Sequence, residues 1–218
     1  MIDSANVVDI FQLVDTGLFR AVTTNPSVLA KENMGFRDIP QLHQDIDELE
    51  LDFEFYQTVG DSFDSMLESG LKIHAMNSGR HQNQPRHTQV IVKVPANRAG
   101  YRAAGKLQES GAQVLLTAVY HSTQALAAKE LGCWGIAPYA GRIEDLGWDP
   151  IKEIGNMKRI LAASPVRVLA ASLRTPEIIG ELAASGVDDF TAAPKVWDAV
   201  VDNPQTADAL GKFLEDEL

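Results

Sequence analysis

Two rhythms of apolar and polar positions alternate along the chain. Short runs rich in β-branched, leucine and aromatic residues recur at 21–24, 51–57, 89–95, 114–120, 134–140, 167–173 and 188–193, and each predicts a strand. The segments between them carry helical spacing: Ile178, Ile179, Leu182 and Ala183, for example, form one apolar stripe. Gly111, Gly132 and Gly186 each precede a strand and read as helix ends, where glycine tolerates the left-handed conformation. Asp149-Pro150 and Thr175-Pro176 read as an N-cap followed by proline at the first helical position. Strands alternating with helices predict parallel pairing.

An open doubly wound sheet and a closed barrel both satisfy that alternation. No glycine-rich phosphate loop follows the first strand, which weakens the nucleotide-binding form of the open sheet. Counting residues 1–3 as a first strand gives eight, so we expect an α/β fold, a (β/α)8 TIM barrel in a single domain over 1–203. Asp3 comes early for a strand of ordinary length: either the first strand is stunted or the chain begins upstream. Residues 77–88, polar with Gly79 and Pro85, read as a surface loop. The tail, 204–218, carries Ala207, Leu210, Phe213 and Leu214 at helical spacing and is expected to pack on its own barrel or a neighbouring subunit.

Charge and composition narrow the partners. Among 218 residues, 30 are acidic and 19 basic, a net charge of −11 that repels nucleic acid and anionic lipid. Cys133 has no intrachain partner, and the N-terminus resembles neither a secretory signal nor an arginine-rich presequence, so a reducing cytoplasm is expected. No apolar run approaches the roughly 20 residues that span a bilayer. The five histidines, His43, His74, His81, His87 and His121, show no metal-binding spacing. We expect no metal.

Lys93 stands apart from the other lysines because it interrupts an apolar strand, Val90-Ile91-Val92-Lys93-Val94-Pro95. Alternation puts Gln89, Ile91 and Lys93 on one face and the valines on the other. In a barrel the valine face suits the helix layer and the lysine points inward, where poor hydration lowers its pKa and leaves a nucleophilic amine. The alternative is a structural lysine paired with an interior carboxylate or extended to the rim. Asp3, read from the sequence alone, is an N-cap for the helix beginning near Ala5. Thr23, Asn25 and Ser27 surround ordinary Asn-Pro turn chemistry.

Taken together, Ile2-Asp3-Ser4, VTTNPS at 22–27, VIVKVP at 90–95, LLTAVY at 115–120, IAPYAGRIED at 136–145 and VLAASLRTP at 168–176 resemble the transaldolase family in its short, fructose-6-phosphate aldolase-like branch. The matches occur in family order and span nearly the whole chain. The resemblance implies a (β/α)8 barrel that forms a Schiff base between lysine and a ketose phosphate, needs no cofactor, and is often a homo-oligomer. Lys93 takes the place of the Schiff-base lysine and Asp3 that of the proton-moving carboxylate. Gln57, Thr117 and Tyr139 match the positions that hold the catalytic water. Thr23 and Asn25 match contacts to the dihydroxyacetone unit, Ser172 the same contact or the phosphate, and Arg142 and Arg174 the phosphate. By alternation Thr117 shares a face with Leu115 and Val119, and Glu54 points to the helix layer, where it requires a partner.

Family transaldolases typically carry Glu and Phe where this chain has Gln57 and Tyr139. The resemblance therefore implies first a class I aldolase that cleaves fructose 6-phosphate to dihydroxyacetone and glyceraldehyde 3-phosphate. The alternative is a transaldolase that passes the same unit to an acceptor sugar phosphate. A third reading is a sugar-phosphate-binding barrel without catalysis.

Overall fold

The computed structural model describes residues 1–78 and 88–217. Eight strands form one closed barrel in chain order: β1 (Ile2–Asp3), β2 (Ala21–Thr23), β3 (Phe53–Gln57), β4 (Gln89–Pro95), β5 (Val114–Val119), β6 (Gly135–Pro138), β7 (Arg167–Leu173) and β8 (Asp189–Ala192). All pairs are parallel, and Ile2 beside Ala192 closes the ring between β1 and β8. The crossovers carry α1 (Val7–Asp15), α2 (Pro26–Lys31), α3 (Ile39–Asp45), α4 (Phe63–Ala75), α5 (Arg98–Glu109), α6 (Gln124–Leu131), α7 (Ala140–Asp145), α8 (Pro150–Leu161) and α9 (Pro176–Ala184), and α10 (Pro194–Val201) follows β8. This is the expected (β/α)8 fold. None of these helices among the described residues is long and apolar enough to cross a membrane.

Period-two alternation sorts the strand residues into two cores. Val90, Val92 and Val94 join the large outer core between barrel and helices, with Ala103, Ala104 and Leu107 of α5. Ile91 joins the small inner core with Ala21, Phe55, Leu115, Ala137, Leu169 and Ala171. Phe53 and Phe55 meet the Trp134 ring edge-on at 5.5 and 5.1 Å between centroids. These rings fill the barrel below the polar residues, so the barrel interior is packed and the barrel opens to a ligand at its carboxyl-terminal mouth.

Glu54 finds its partners in the outer layer. Its Oε2 lies 2.5 Å from His43 Nδ1 on α3 and accepts a hydrogen bond of 2.8 Å from the Tyr56 hydroxyl. Tyr56 is visible from alternation, since it shares the face of Glu54; His43 depends on how α3 packs, which spacing along the chain does not encode.

At the element ends some sequence expectations hold and others do not. The first strand is stunted, with two residues. Along α9 only Leu182 is buried; Ile178 and Ile179 are half-buried and Ala183 is exposed, so the stripe is narrower than its spacing suggests. Gly111, Gly132 and Gly186 all take left-handed φ angles at helix ends as expected, Gly132 as the cap of α6 and the other two directly after the caps Ser110 and Ser185. The helix α11 (Pro204–Asp216) has no buried residue and leaves Leu210, Phe213 and Leu214 exposed. Residues 79–87, most of the polar loop with His81 and His87, lie outside the described residues.

Candidate active site

A cleft of about 430 Å3 opens at the carboxyl-terminal mouth of the barrel. Asp3, Asn25, Gln57, Lys93, Tyr139, Arg142 and Ser172 line it, drawn from strands, the residues that follow them and, for Arg142, the helix α7. Lys93 is 4% exposed, and its Nζ donates 2.6 Å to the Thr24 carbonyl oxygen. Burial pushes its ammonium below the usual lysine range, against the opposing pull of the Asp3 carboxylate. Gln57 sits directly opposite Lys93 in the β3–β4 register. Asn25 caps α2: its Oδ1 accepts from Ser27 N at 2.9 Å and Val28 N at 3.0 Å, which orients the side chain at the cleft wall.

Thr23 and Thr117 are fully buried beneath this lining, and their hydroxyls bond to residues that line it. The Thr23 hydroxyl donates to Asp3 Oδ1 at 2.8 Å. Thr117 Oγ1 is 2.9 Å from the Tyr139 hydroxyl. Burial pushes the Tyr139 phenol above its usual range, outweighing the Thr117 hydrogen bond that acts the other way, so the phenol keeps its proton. The Arg142 guanidinium lies over the Tyr139 ring, 5.4 Å from its centroid, with its charge at the cleft. Among the described residues no cluster of three or more His, Cys, Asp or Glu side chains is arranged to hold a metal ion.

Arg174 is held apart from the cleft lining. Its Nη1 and Nη2 donate to the two Asp145 oxygens at 2.7 and 2.6 Å, and Glu144 lies 3.9 Å away. That paired geometry raises Arg174 further and holds Asp145 below the usual carboxylate range.

The family model described as Transaldolase/Fructose-6-phosphate aldolase matches residues 1–217. The chain belongs to this family. Relatives named "Probable transaldolase" include proteins of Thermoplasma volcanium, 30% identical over 99% of this chain and 93% of that one, and Symbiobacterium thermophilum, 30% identical over 99% and 94%. A Listeria monocytogenes protein named "Probable transaldolase 1" is 32% identical over 99% and 95%. Among solved structures, a thiamine phosphate pyrophosphorylase from Pyrococcus furiosus shares the fold with a TM-score of 0.58 at 14% identity, covering 86% of this chain and 79% of that one. Membership gives this enzyme the family's Schiff-base chemistry, of lyase or transferase type, on a ketose-phosphate-like substrate.

Two bulges correct the simple alternation at the mouth of this transaldolase-family barrel. Ala118 and Ser172 adopt left-handed φ angles of 55° and 56°, and the strand register shifts between Leu116 and Val119 and between Ala170 and Leu173. Alternation puts Val119 inside with Thr117; instead it joins the outer core, while Ala118 lines the cleft. Ser172, which alternation would turn outward with Ala170, lines the cleft as well. Each left-handed non-glycine residue costs about 1–3 kcal/mol, and bulges of this kind gather at functional sites because they re-aim side chains. Four further polar lining residues had no chemical role in the sequence reading: Ser27, Lys31, Tyr120 and Thr191.

Gly141 supports the Ser172 bulge. A Cβ built there would meet Ser172 O and Arg174 Nε at 2.6 Å each. The carbonyl belongs to the strained backbone and cannot swing aside. Gly141→Ala is expected to lower stability by about 1–3 kcal/mol and the melting temperature by about 2–10 °C. It should also raise KM for a phosphorylated ketose; thermal melts and steady-state kinetics check both.

Proposed function

We propose that this enzyme transfers a dihydroxyacetone unit between sugar phosphates through a Schiff base on Lys93. The observation that carries the reading is a buried amine at the carboxyl-terminal end of β4 with a carboxylate, Asp3, on the same cleft. The name shared by the relatives supports transfer over simple cleavage. In this reading the neutral Lys93 amine attacks C2 of the donor ketose, and loss of water from the carbinolamine gives an iminium. Asp3 takes the proton of the C4 hydroxyl, the C3–C4 electrons move into the iminium, and an aldehyde leaves while an enamine stays on Lys93. The enamine C3 then attacks the acceptor aldehyde, Asp3 returns the proton to the new alkoxide, and hydrolysis frees the product. Asn25 orients the three-carbon unit, while Arg142 and Ser172 hold the phosphate at the opposite wall. The α11 stripe of Leu210, Phe213 and Leu214 is covered in this account by a second copy of the chain. A cytoplasmic setting suits Cys133, whose thiol burial pushes up to about 12 and so keeps protonated.

A second reading, release of free dihydroxyacetone by an aldolase acting on fructose 6-phosphate, is favoured by one specific feature: the Thr117–Tyr139 hydroxyl pair beside Gln57. That pair can orient water to protonate the enamine and hydrolyse the imine. Products from fructose 6-phosphate with and without erythrose 4-phosphate separate the two. Transfer predicts turnover that depends on the acceptor; dihydroxyacetone formed equally fast without it favours the aldolase. On either reading, Tyr139→Phe should lower acceptor-independent release by about tenfold while sparing transfer, because only the water loses its hydroxyl support.

A further inference from the structure

Thr191, on β8, carries a proton that the mechanism above leaves unused. Its hydroxyl is 2.7 Å from the Thr23 hydroxyl, which in turn donates to Asp3 Oδ1 at 2.8 Å. Thr23 is fully buried and Thr191 is 2% exposed, so bulk water does not compete for either group. The direction of this chain follows from counting hydrogens. A threonine hydroxyl has one hydrogen, and an ionised carboxylate only accepts. The Thr23 hydrogen is committed to Asp3, so the bond between the two hydroxyls must run from Thr191 to Thr23.

We propose that Thr191 is a positioning residue that holds Asp3 in its working orientation through Thr23. Asp3 ends a strand of two residues, and the β1 ladder rests on Ile2 with Val22, Asp3 with Thr23, and Ile2 with Ala192. So short a strand gives the side chain little support of its own. The hydroxyl chain runs from β8 to β2 to β1 and pins one carboxylate oxygen. The other oxygen makes no hydrogen bond among the described residues, and since Asp3 lines the cleft, it is the oxygen left to receive the C4 proton. Fixing Thr23 as donor also polarises it toward the carboxylate, since hydrogen bonds in series strengthen one another.

The inference rests on Asp3 as the proton carrier. Its test is a kinetic comparison on the full-length enzyme with fructose 6-phosphate and an acceptor aldose phosphate. Thr191→Val keeps the volume and removes the hydroxyl; kcat should fall about tenfold while KM stays within about twofold. Thr191→Ala, which adds no bulk, should behave alike, and Thr191→Ser should recover kcat to within about twofold of the parent. On an Asp3→Asn background, Thr191→Val should cause no further loss, because its effect passes through the carboxylate. Parental kcat in the valine and alanine variants, a serine variant as slow as valine, or losses that multiply in the double variant would each overturn the proposal. An unchanged kcat in Asp3→Asn alone would overturn the role of Asp3 itself. A slow Asp3→Asn beside a fast Thr191→Val would overturn only the positioning.

Discussion

Lys93→Met is expected to lower turnover of a ketose phosphate about a thousandfold or more while leaving a barrel at least as stable as the parent. The methionine side chain has nearly the reach of lysine and suits a site bounded by the apolar inner core. Among the described residues, the one hydrogen bond it loses runs from Nζ to the Thr24 carbonyl oxygen. Against that loss stands the burial of an amine that is pushed below its ordinary pKa. The sign follows from proton counts. Between the folded pKa and the unfolded value of 10.5, the unfolded chain binds a proton that the folded chain does not. Stability of the parent therefore falls as pH drops through that window, and Lys93→Met removes this dependence. Urea titrations of parent and variant at pH 7 and pH 9 check it: the variant should gain most at the lower pH. A variant that kept appreciable turnover would remove Lys93 from the chemistry.

Asp3→Asn should lower kcat about a hundredfold or more, with KM changed far less. The amide keeps the shape and still accepts from the Thr23 hydroxyl at the Oδ1 position, so the site should stay assembled. What disappears is the capacity to take and return a proton at C4, needed in cleavage and in the attack on the acceptor. Schiff-base formation requires proton movement too, but water in the cleft can assist it. The variant should therefore accumulate covalent adduct with the donor while releasing little aldehyde. Rapid quench with mass detection of the protein checks this, and a variant that turned over at the parental rate would exclude Asp3 as the proton carrier.

The residues that were legible in the sequence share a property: their chemistry contradicts their local pattern. Lys93 interrupts a run of strand-forming apolar residues, and that contradiction points to an inward amine before any coordinate is known. The regular strand–helix alternation likewise gives the parallel pairing, and the count of eight strands with no glycine-rich loop after the first favours the closed barrel over the open sheet. What stayed hidden depends on geometry that a period of two does not hold. The left-handed turns at Ala118 and Ser172 reverse the facing of Val119 and bring Ser172 inward, although neither position bears glycine. Thr191 sits in an ordinary strand sequence and gains a role only because ring closure sets β8 beside β1 and brings its hydroxyl to Thr23 of β2. Arg174, one of two matching arginines by sequence, is taken up by Asp145 from the α7 end. His43 reaches Glu54 only through helix packing.

Borohydride reduction in the presence of fructose 6-phosphate, followed by peptide mass mapping, tests the central claim most directly. A Schiff-base enzyme working through the buried amine should acquire a stable, reduced sugar-derived adduct on the peptide that contains Lys93, and only when the ketose is present. An unmodified Lys93 peptide under conditions that support turnover, or an adduct confined to other lysines, would contradict the account.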